Sequence, residues 1–88
     1  MKTTFRNSFL KDLKAIRDKQ LLSRVKETIE LVENADSLTA LHNLKPLKGE
    51  KNYYRIRIGE YRLGLAVQND NVAFVWFLHR KEIYRYFP

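Results

Sequence analysis

A fifteen-residue stretch, YYRIRIGEYRLGLAV (Tyr53–Val67), constrains the fold more than any other part of the chain. On both sides of Gly59-Glu60, apolar residues alternate with other residues, which is the period of a β-strand with one buried face. Gly59-Glu60 itself fits a two-residue hairpin turn with glycine at the first central position. The stretch therefore predicts two antiparallel strands that have an apolar face and a cationic face.

Three arginines lie on the cationic face of this predicted hairpin. Arg55 and Arg57 share one side of the first strand, and Arg62 lies across the hairpin from them, so that three guanidinium groups can converge. Like charges at that range repel one another, and such a cluster is tolerated where it is solvated or where an anion binds. Planar two-donor groups fit a phosphate well. From the pattern alone, a solvated sheet face and a phosphate site are both open.

Two amphipathic helices are predicted upstream of the hairpin. Apolar residues at helical spacing follow Asn7 or Ser8, either of which can cap a first helix that runs to about Arg17. After a break near residues 18–20, a second apolar stripe runs to Val32. Because the connection is short, we expect an antiparallel helical hairpin whose apolar stripe is covered by a sheet.

Shorter elements complete the prediction. A first strand is expected at Lys2–Phe5, and one helical turn is expected through Leu41, in a segment that Pro46 and Gly49 end. The segment VAFVWFL is apolar on both faces, as a central strand should be. We predict one α+β domain over residues 1–88: an N-terminal helical hairpin on a small, mainly antiparallel sheet, in the order β-α-α-β-β-β, with a short C-terminal helix or tail.

Composition limits the kinds of partner. Seventeen Lys and Arg against ten Asp and Glu give a net charge of +7, which favours an anionic partner, either a nucleic acid or an acidic protein. The chain has no cysteine and no apolar run of the length that a signal peptide or a membrane span needs. We therefore expect a cytoplasmic protein that has no membrane partner. We assign the aromatic side chains of Tyr53, Tyr61 and Phe77 to the core, with base stacking by one of them as the alternative.

Groups that could carry acid–base chemistry follow the last strand. His79, Arg80 and Tyr84 emerge there beside the cationic hairpin. His42 and His79 are the two histidines, and without cysteine they do not make the usual zinc ligand set, so no metal is expected. The sequence also has no nucleotide-binding or covalent-nucleophile motif, and no cofactor is expected. Acid–base chemistry on a phosphodiester remains, with RNA as the natural substrate because its 2′-hydroxyl can attack phosphorus.

Three motifs in order resemble a known family. LKPLKGEKNYYRIRIGEYRLGLAV followed by FVWFLHRKEIY closely resembles the RelE branch of the RelE/ParE toxin superfamily. In that branch a leucine-rich lead-in, a Y-R-I-R-x-G-x-Y-R hairpin and a closing H-R-x-x-x-Y recur. The resemblance covers essentially the whole chain. It implies the toxin of a type II toxin–antitoxin pair, which cleaves mRNA in the ribosomal A site and is silenced by a cognate antitoxin.

The resemblance also implies roles for single residues. Arg62 matches the arginine that contacts the scissile phosphate, Arg80 the arginine after the last strand, and Tyr84 the tyrosine that closes the site. Arg55 and Arg57 stand where relatives have basic residues, often lysine. A guanidinium group stays charged and cannot act as a base, so proton removal falls to Tyr84 or His79. The expected catalytic set is Arg57, Arg62, His79, Arg80 and Tyr84, and the expected RNA-binding set is Lys48, Lys51, Arg55 and Lys81.

Two other functions stay open at this point. The ParE-like branch shares the fold and binds DNA gyrase without nuclease chemistry. A non-catalytic basic domain that only binds RNA is the third possibility, and the complete set of arginines with Tyr84 favours the nuclease over both.

Overall fold

The described residues form three α-helices and a five-stranded mixed sheet. The structure is a computed structural model that describes the backbone of residues 1–86 and the side chains of residues 1–83. In chain order the elements are β1 (Lys2–Phe5), α1 (Asn7–Lys14), α2 (Lys19–Asn34), β2 (Leu44–Pro46), β3 (Tyr53–Ile58), β4 (Tyr61–Gln68), β5 (Asn71–His79) and α3 (Arg80–Tyr86). A single 3₁₀ turn lies at Leu38–Ala40.

The sheet confirms the predicted α+β class and adds one strand to it. Its strand order is β1-β5-β4-β3-β2, with β1 parallel to β5 and the other neighbours antiparallel. The sequence predicted no strand at β2, which lies in the segment that Pro46 and Gly49 were expected to end. At an edge, however, proline removes no hydrogen bond from the sheet interior. Lys45 pairs with Arg55 and Pro46 with Tyr54, so β2 covers part of the edge of β3.

Both long helices pack on one face of the sheet, as predicted, and we call this the inner face. Phe9 of α1 and Val25 and Val32 of α2 are buried in one cluster with apolar side chains of β3, β4 and β5. The sheet residues of that cluster are Ile56, Ile58, Leu63, Leu65, Val72, Phe74 and Phe77. The opposite side is the outer face. Since side chains alternate along a strand, the residues between these apolar positions point to the outer face.

The β3–β4 hairpin has the predicted register. Ile58 pairs with Tyr61, which leaves Gly59 and Glu60 as the turn. Gly59 has a φ of 59°, in the left-handed region that glycine adopts without steric cost. This register places Arg57 directly opposite Arg62. The turn therefore determines that the arginines share the outer face.

The ends of the helices differ from the prediction. Arg6 occupies the N-cap of α1 without a side-chain cap, and the Ser8 hydroxyl donates to the Val75 carbonyl instead. The helix ends at Lys14, three residues before the predicted end. The Asp18 carboxylate caps α2 by accepting from the backbone N–H groups of residues 20 and 21. The predicted capping role of Asn7 or Ser8 was wrong because the Ser8 hydroxyl has a partner in the sheet.

A β-bulge interrupts the pairing of β4 with β5. Gly64 pairs with Trp76 and Leu65 with Phe74, so Val75 is an extra residue on β5. Here α1 supplies hydrogen bonds that a neighbouring strand would otherwise supply: the backbone N–H of Phe77 donates to the Asp12 carboxylate at 3.0 Å. The bulge reverses the alternation, so that Trp76 points to the outer face and Phe77 to the inner face.

The outer face carries a buried aromatic side chain, Trp76. Trp76 and Ile83 are both buried, and neither belongs to the inner-face cluster. The Trp76 indole lies on Gly64, where an added Cβ would come closer to the ring than real Cβ atoms do. Helix α3, which carries Ile83, contacts β5. A residue without a side chain at position 64 is therefore required for the indole to lie flat on the sheet.

We expect Gly64→Ala to destabilise the protein by about 1–3 kcal/mol, because the new methyl group overpacks against Trp76. Urea unfolding of the single and double variants measures this. In a Trp76→Leu background the same substitution should cost much less, since the ring is gone. If Gly64→Ala lowers the free energy of unfolding equally in both backgrounds, contact with the indole is not the cause of the destabilisation.

Candidate functional site

A cationic depression of about 150 Å³ lies on the outer face, at the hairpin and the edge strand. The described residues that line it are Asn43, Lys45, Arg55, Arg57 and Arg62, which are four cations and one amide. The three arginines predicted to converge do converge here. An anion in this depression would be attracted by every charged group of its lining.

Strand pairing explains why these side chains meet. Arg55 faces Lys45 on one side, and Arg57 faces Arg62 on the other. Directly opposed residues of antiparallel strands share a face, so all four cations point outward. Asn43 has a φ of 64°, and its carbonyl accepts from the Arg57 backbone N–H at 3.4 Å. This contact extends the pairing of β2 by one step and brings Asn43 to the rim.

Arg62 is the deepest of the four cations. Its residue is only 7% exposed, whereas Arg57 is exposed and Arg55 is half-buried. One terminal nitrogen, Nη1, donates to the carbonyls of Gly59 at 3.0 Å and Tyr61 at 2.9 Å. Arg62 thus holds the hairpin turn and also lines the depression. Its guanidinium position is determined by the backbone, which is what a site that binds phosphate in a defined orientation requires.

Arg80 is held next to the same hairpin turn. Its Nε lies 3.1 Å from the Glu60 carboxylate, and its backbone N–H donates to the Glu60 carbonyl at 2.8 Å. Both side chains are about half exposed. The start of α3 is therefore attached to the turn that Arg62 also holds. An approaching phosphate group could exchange with the Glu60 carboxylate for Arg80 without disturbing the core.

His79 lies on the other side of the sheet from the arginines. It pairs with Tyr61, and its ring lies edge-on to the Tyr61 ring, at a centroid distance of 5.2 Å. Tyr61 in turn stacks on Phe77 at 5.0 Å, next to the inner-face cluster. His79 Nδ1 accepts from the Lys81 backbone N–H at 3.1 Å, in the first turn of α3. The structure thus places His79 where it supports α3, and does not bring it together with Arg57 and Arg62.

The other predicted residues do not line the depression. Lys48 and Lys51 are exposed in the connection between β2 and β3, and Lys81 is exposed in the first turn of α3. The Tyr84 side chain lies outside the described residues. Tyr53, assigned to the core from the sequence, is on the outer face with Arg55, whereas Tyr61 and Phe77 pack on the inner face as predicted.

Sequence reasoning missed two lining residues, Asn43 and Lys45. Both depend on β2, which was not predicted. The alternation in L-K-P, with Leu44 half-buried toward the inner face and Lys45 exposed, is a weak signal over three residues. The strand could have been predicted only from the need to cover the edge of β3.

Among the described residues, no group of three or more His, Cys, Asp or Glu side chains is placed to hold a metal ion. No helix in residues 1–86 is both long enough and apolar enough to cross a membrane.

Comparison with known proteins identifies the family. The sequence model described as "ParE toxin of type II toxin-antitoxin system, parDE" matches residues 4–84. The chain therefore belongs to the ParE toxin family of type II toxin–antitoxin systems. Within it the chain is RelE-like: it is 46% identical to Toxin RelE3 of Methanocaldococcus jannaschii over 89 aligned residues, covering 100% of both chains. This confirms the resemblance stated from the three motifs.

Solved structures have the same fold. The RelB–RelE antitoxin–toxin complex from Methanococcus jannaschii matches with a TM-score of 0.83 at 44% identity, covering 96% of this chain and 98% of that chain. The E. coli DinJ–YafQ toxin–antitoxin complex matches with a TM-score of 0.75 at 18% identity, covering 93% and 94%. The second likeness supports the fold alone, since so few residues are identical.

We expect inorganic phosphate to raise the melting temperature by filling the cationic depression. At ten times its dissociation constant an anion stabilises the folded state by about 1.4 kcal/mol, which raises the melting temperature of a domain this small by at least about 4 °C. Thermal unfolding is compared in phosphate and in sodium chloride of equal ionic strength. Arg57→Ala should lose most of the difference, while Lys26→Ala, on the exposed side of α2, should keep it. An equal loss in both variants would indicate general screening of the net charge instead of a site.

Proposed function

We propose that this chain is the toxin of a type II toxin–antitoxin pair and acts as an endoribonuclease on mRNA in the ribosomal A site, in the cytoplasm. The observation that carries the proposal is the outer-face depression, in which Lys45, Arg55, Arg57 and Arg62 converge. Four cations around one small concavity are costly unless an anion binds there. A phosphodiester of RNA is the anion that suits both this site and the family.

The reaction that we propose uses the nucleophile that RNA itself carries. The 2′-hydroxyl oxygen attacks the adjacent phosphorus, its proton passes to a base, and the bond from phosphorus to the 5′-oxygen breaks as that oxygen takes up a proton. The products are a 2′,3′-cyclic phosphate and a free 5′-hydroxyl. Negative charge increases on the phosphorane oxygens in the transition state, and guanidinium groups already in position stabilise it without reorganising.

The cations differ in what they can contribute. Arg62 is fixed by the Gly59 and Tyr61 carbonyls and is suited to orient the phosphate. Arg57 is exposed beside it and can bind the developing charge. Arg80 stands at the same turn and becomes available when it leaves Glu60. We assign Arg55 to binding the RNA strand next to the scissile phosphate, and Lys48, Lys51 and Lys81 to phosphate contacts that carry no sequence information.

Proton transfer is assigned to Tyr84 in this proposal. Its match to the closing tyrosine of the family motif supports the assignment. His79 contacts Tyr61 on the inner face and accepts from the Lys81 backbone N–H, so we assign it a positioning role.

A cognate antitoxin is the second partner that we propose. The RelE and YafQ chains of the compared complexes were solved with the antitoxins RelB and DinJ. An acidic antitoxin segment over the outer face would neutralise the depression and block RNA at once, because the two ligands compete for the same cations.

We expect Arg57→Ala to lower the single-turnover cleavage rate of mRNA on programmed ribosomes by about a hundredfold to a thousandfold, because one charge-stabilising contact is lost in the transition state. Urea unfolding should show no loss of stability, since Arg57 is exposed and its removal also relieves the repulsion with Arg62. Arg62→Ala should lose activity and stability together, because it also frees two turn carbonyls. Lys26→Ala is the matched control and should cleave at the parental rate.

Two measurements on induced cells separate the nuclease from the gyrase-binding alternative. The match to the ParE family model is the observation that favours gyrase binding. Primer extension on mRNA from induced cells should show cleavage within codons, and plasmid supercoiling should be normal. Altered supercoiling together with intact mRNA would assign the chain to gyrase binding and would overturn the proposal.

We expect Tyr84→Phe to slow cleavage by about a hundredfold or more, the usual contribution of a proton-transferring group. His79→Gln should slow it far less and should mainly loosen α3, visible as faster amide exchange of the Lys81 N–H. Single-turnover rates at saturating toxin measure both. If the histidine variant loses more activity than the tyrosine variant, the assignment of the base is wrong.

A further inference from the structure

A second concavity lies on the same outer face, at the other end of β3. Its volume is about 510 Å³. Ala66 and Ala73 form its floor, since they pair with each other across β4 and β5, and Tyr53 pairs with Ala66 on the side of β3. The described residues that line it are Thr4, Arg6, Lys51, Asn52, Tyr53, Ala66, Val67, Gln68, Asn71 and Ala73. We call it the base groove.

The base groove and the cationic depression follow each other along β3. Tyr53, Arg55 and Arg57 are alternate residues of one strand and point to the same face. Neighbouring side chains on one face of a strand are about 7 Å apart. A ligand that places a phosphate on Arg55 and Arg57 therefore has its next unit beside Tyr53. The whole path lies on the outer face, so the ligand does not have to enter the core.

The lining indicates the chemistry of that next unit. Two alanines leave a flat floor between strands, and an aromatic ring stands beside it. Around them are amide and hydroxyl side chains, from Asn52, Gln68, Asn71 and Thr4, with Arg6 and Lys51 as the charged members of the lining. An unpaired base of single-stranded RNA binds to such features: it packs on a flat apolar area and an aromatic ring, and its edge pairs with amides that both donate and accept hydrogen bonds.

A peptide fits this lining less well. An acidic peptide would find only two cations in the groove, compared with four in the smaller depression. An apolar peptide side chain would find a floor of small residues surrounded by polar groups. The occupant that uses the aromatic ring, the amides and the nearby phosphate site together is a nucleotide.

We propose that the base groove binds the nucleobase next to the scissile phosphate, with its ring against Tyr53 and its edge toward the amides of Asn52, Gln68 and Asn71. This inference rests on the proposed function for the position of the phosphate. It assigns to this chain, in addition to the ribosome, a share in choosing the nucleotide beside the cleavage site. Amide side chains that can read a base edge make that choice possible.

Titration of the ¹⁵N-labelled full chain with a short single-stranded RNA tests the proposal. The RNA carries one 2′-deoxynucleotide at the central position, so that it cannot be cleaved there, and the matched probe is the same RNA with an abasic residue next to it. We expect the backbone amides of Ala66 and Ala73 to shift with the first probe and not with the second. The amides of Arg55 and Arg57 should shift with both.

Single substitutions show which residues of the groove contribute to RNA binding. Tyr53→Ala should weaken binding at least about tenfold through lost stacking, whereas Tyr53→Phe should bind as the parent does. Ala66→Leu should weaken it to a similar degree because its side chain fills the floor. Ala15→Leu is the matched control, since Ala15 is exposed at the end of α1, and it should bind like the parent.

The outcomes separate this inference from the proposed function. Shifts confined to the depression, or no shift at all, would overturn the base groove, while mRNA cleavage on ribosomes would still support the nuclease. If RNA shifts the Ala66 and Ala73 amides but the chain cleaves no mRNA, the groove still binds a nucleobase and the nuclease proposal is wrong. If an acidic antitoxin segment moves the Ala66 and Ala73 amides and RNA does not, the groove is a protein interface and the proposal is wrong.

Discussion

The pairing register of β3 with β4 is the constraint on which the rest of the structure depends. Side chains alternate with a period of two, so a slip of one residue would carry Arg55 and Arg57 to the inner face and the buried isoleucines to solvent. Gly59 sets the register by accepting a left-handed backbone at the turn. Arg62 reinforces it, because its guanidinium holds the carbonyls of Gly59 and Tyr61. The residue that orients the proposed substrate thus also secures the strand pairing that creates the site.

That arrangement has a cost in stability. Arg57 and Arg62 are directly opposed across the strands, and like charges in that position repel each other. Arg62 is also nearly buried, and a buried charge requires compensation by hydrogen bonds. Sequences violate such rules mostly where a site needs it. An anion in the depression would remove the repulsion, so ligand binding and folding stability are linked at this hairpin.

The sequence predicted most of this hairpin and less of its surroundings, for physical reasons. Two strands with regular alternation and a Gly-Glu turn define one face, so the two-residue period of the side chains was enough to predict that the arginines converge. β5 is apolar on both faces, so nothing in its pattern locates the bulge at Val75. Strict alternation without that bulge would have put His79 on the outer face with Arg62. The edge strand was missed for a different reason: three residues ending in Pro46 carry too little periodicity to predict, and Lys45 was missed with it.

The bulge also explains why the outer face carries two sites rather than one broad surface. It turns Trp76 outward, and the indole then lies on Gly64, which stands between Arg62 and Ala66 along β4. The ring is thereby placed between the cationic depression and the base groove, and it fills the centre of the face with apolar volume. Along β3, the alternate residues Tyr53, Arg55 and Arg57 lead from one concavity to the other on the same face. An RNA strand that occupied both, as we propose, would therefore run along β3 and pass beside the indole instead of crossing it.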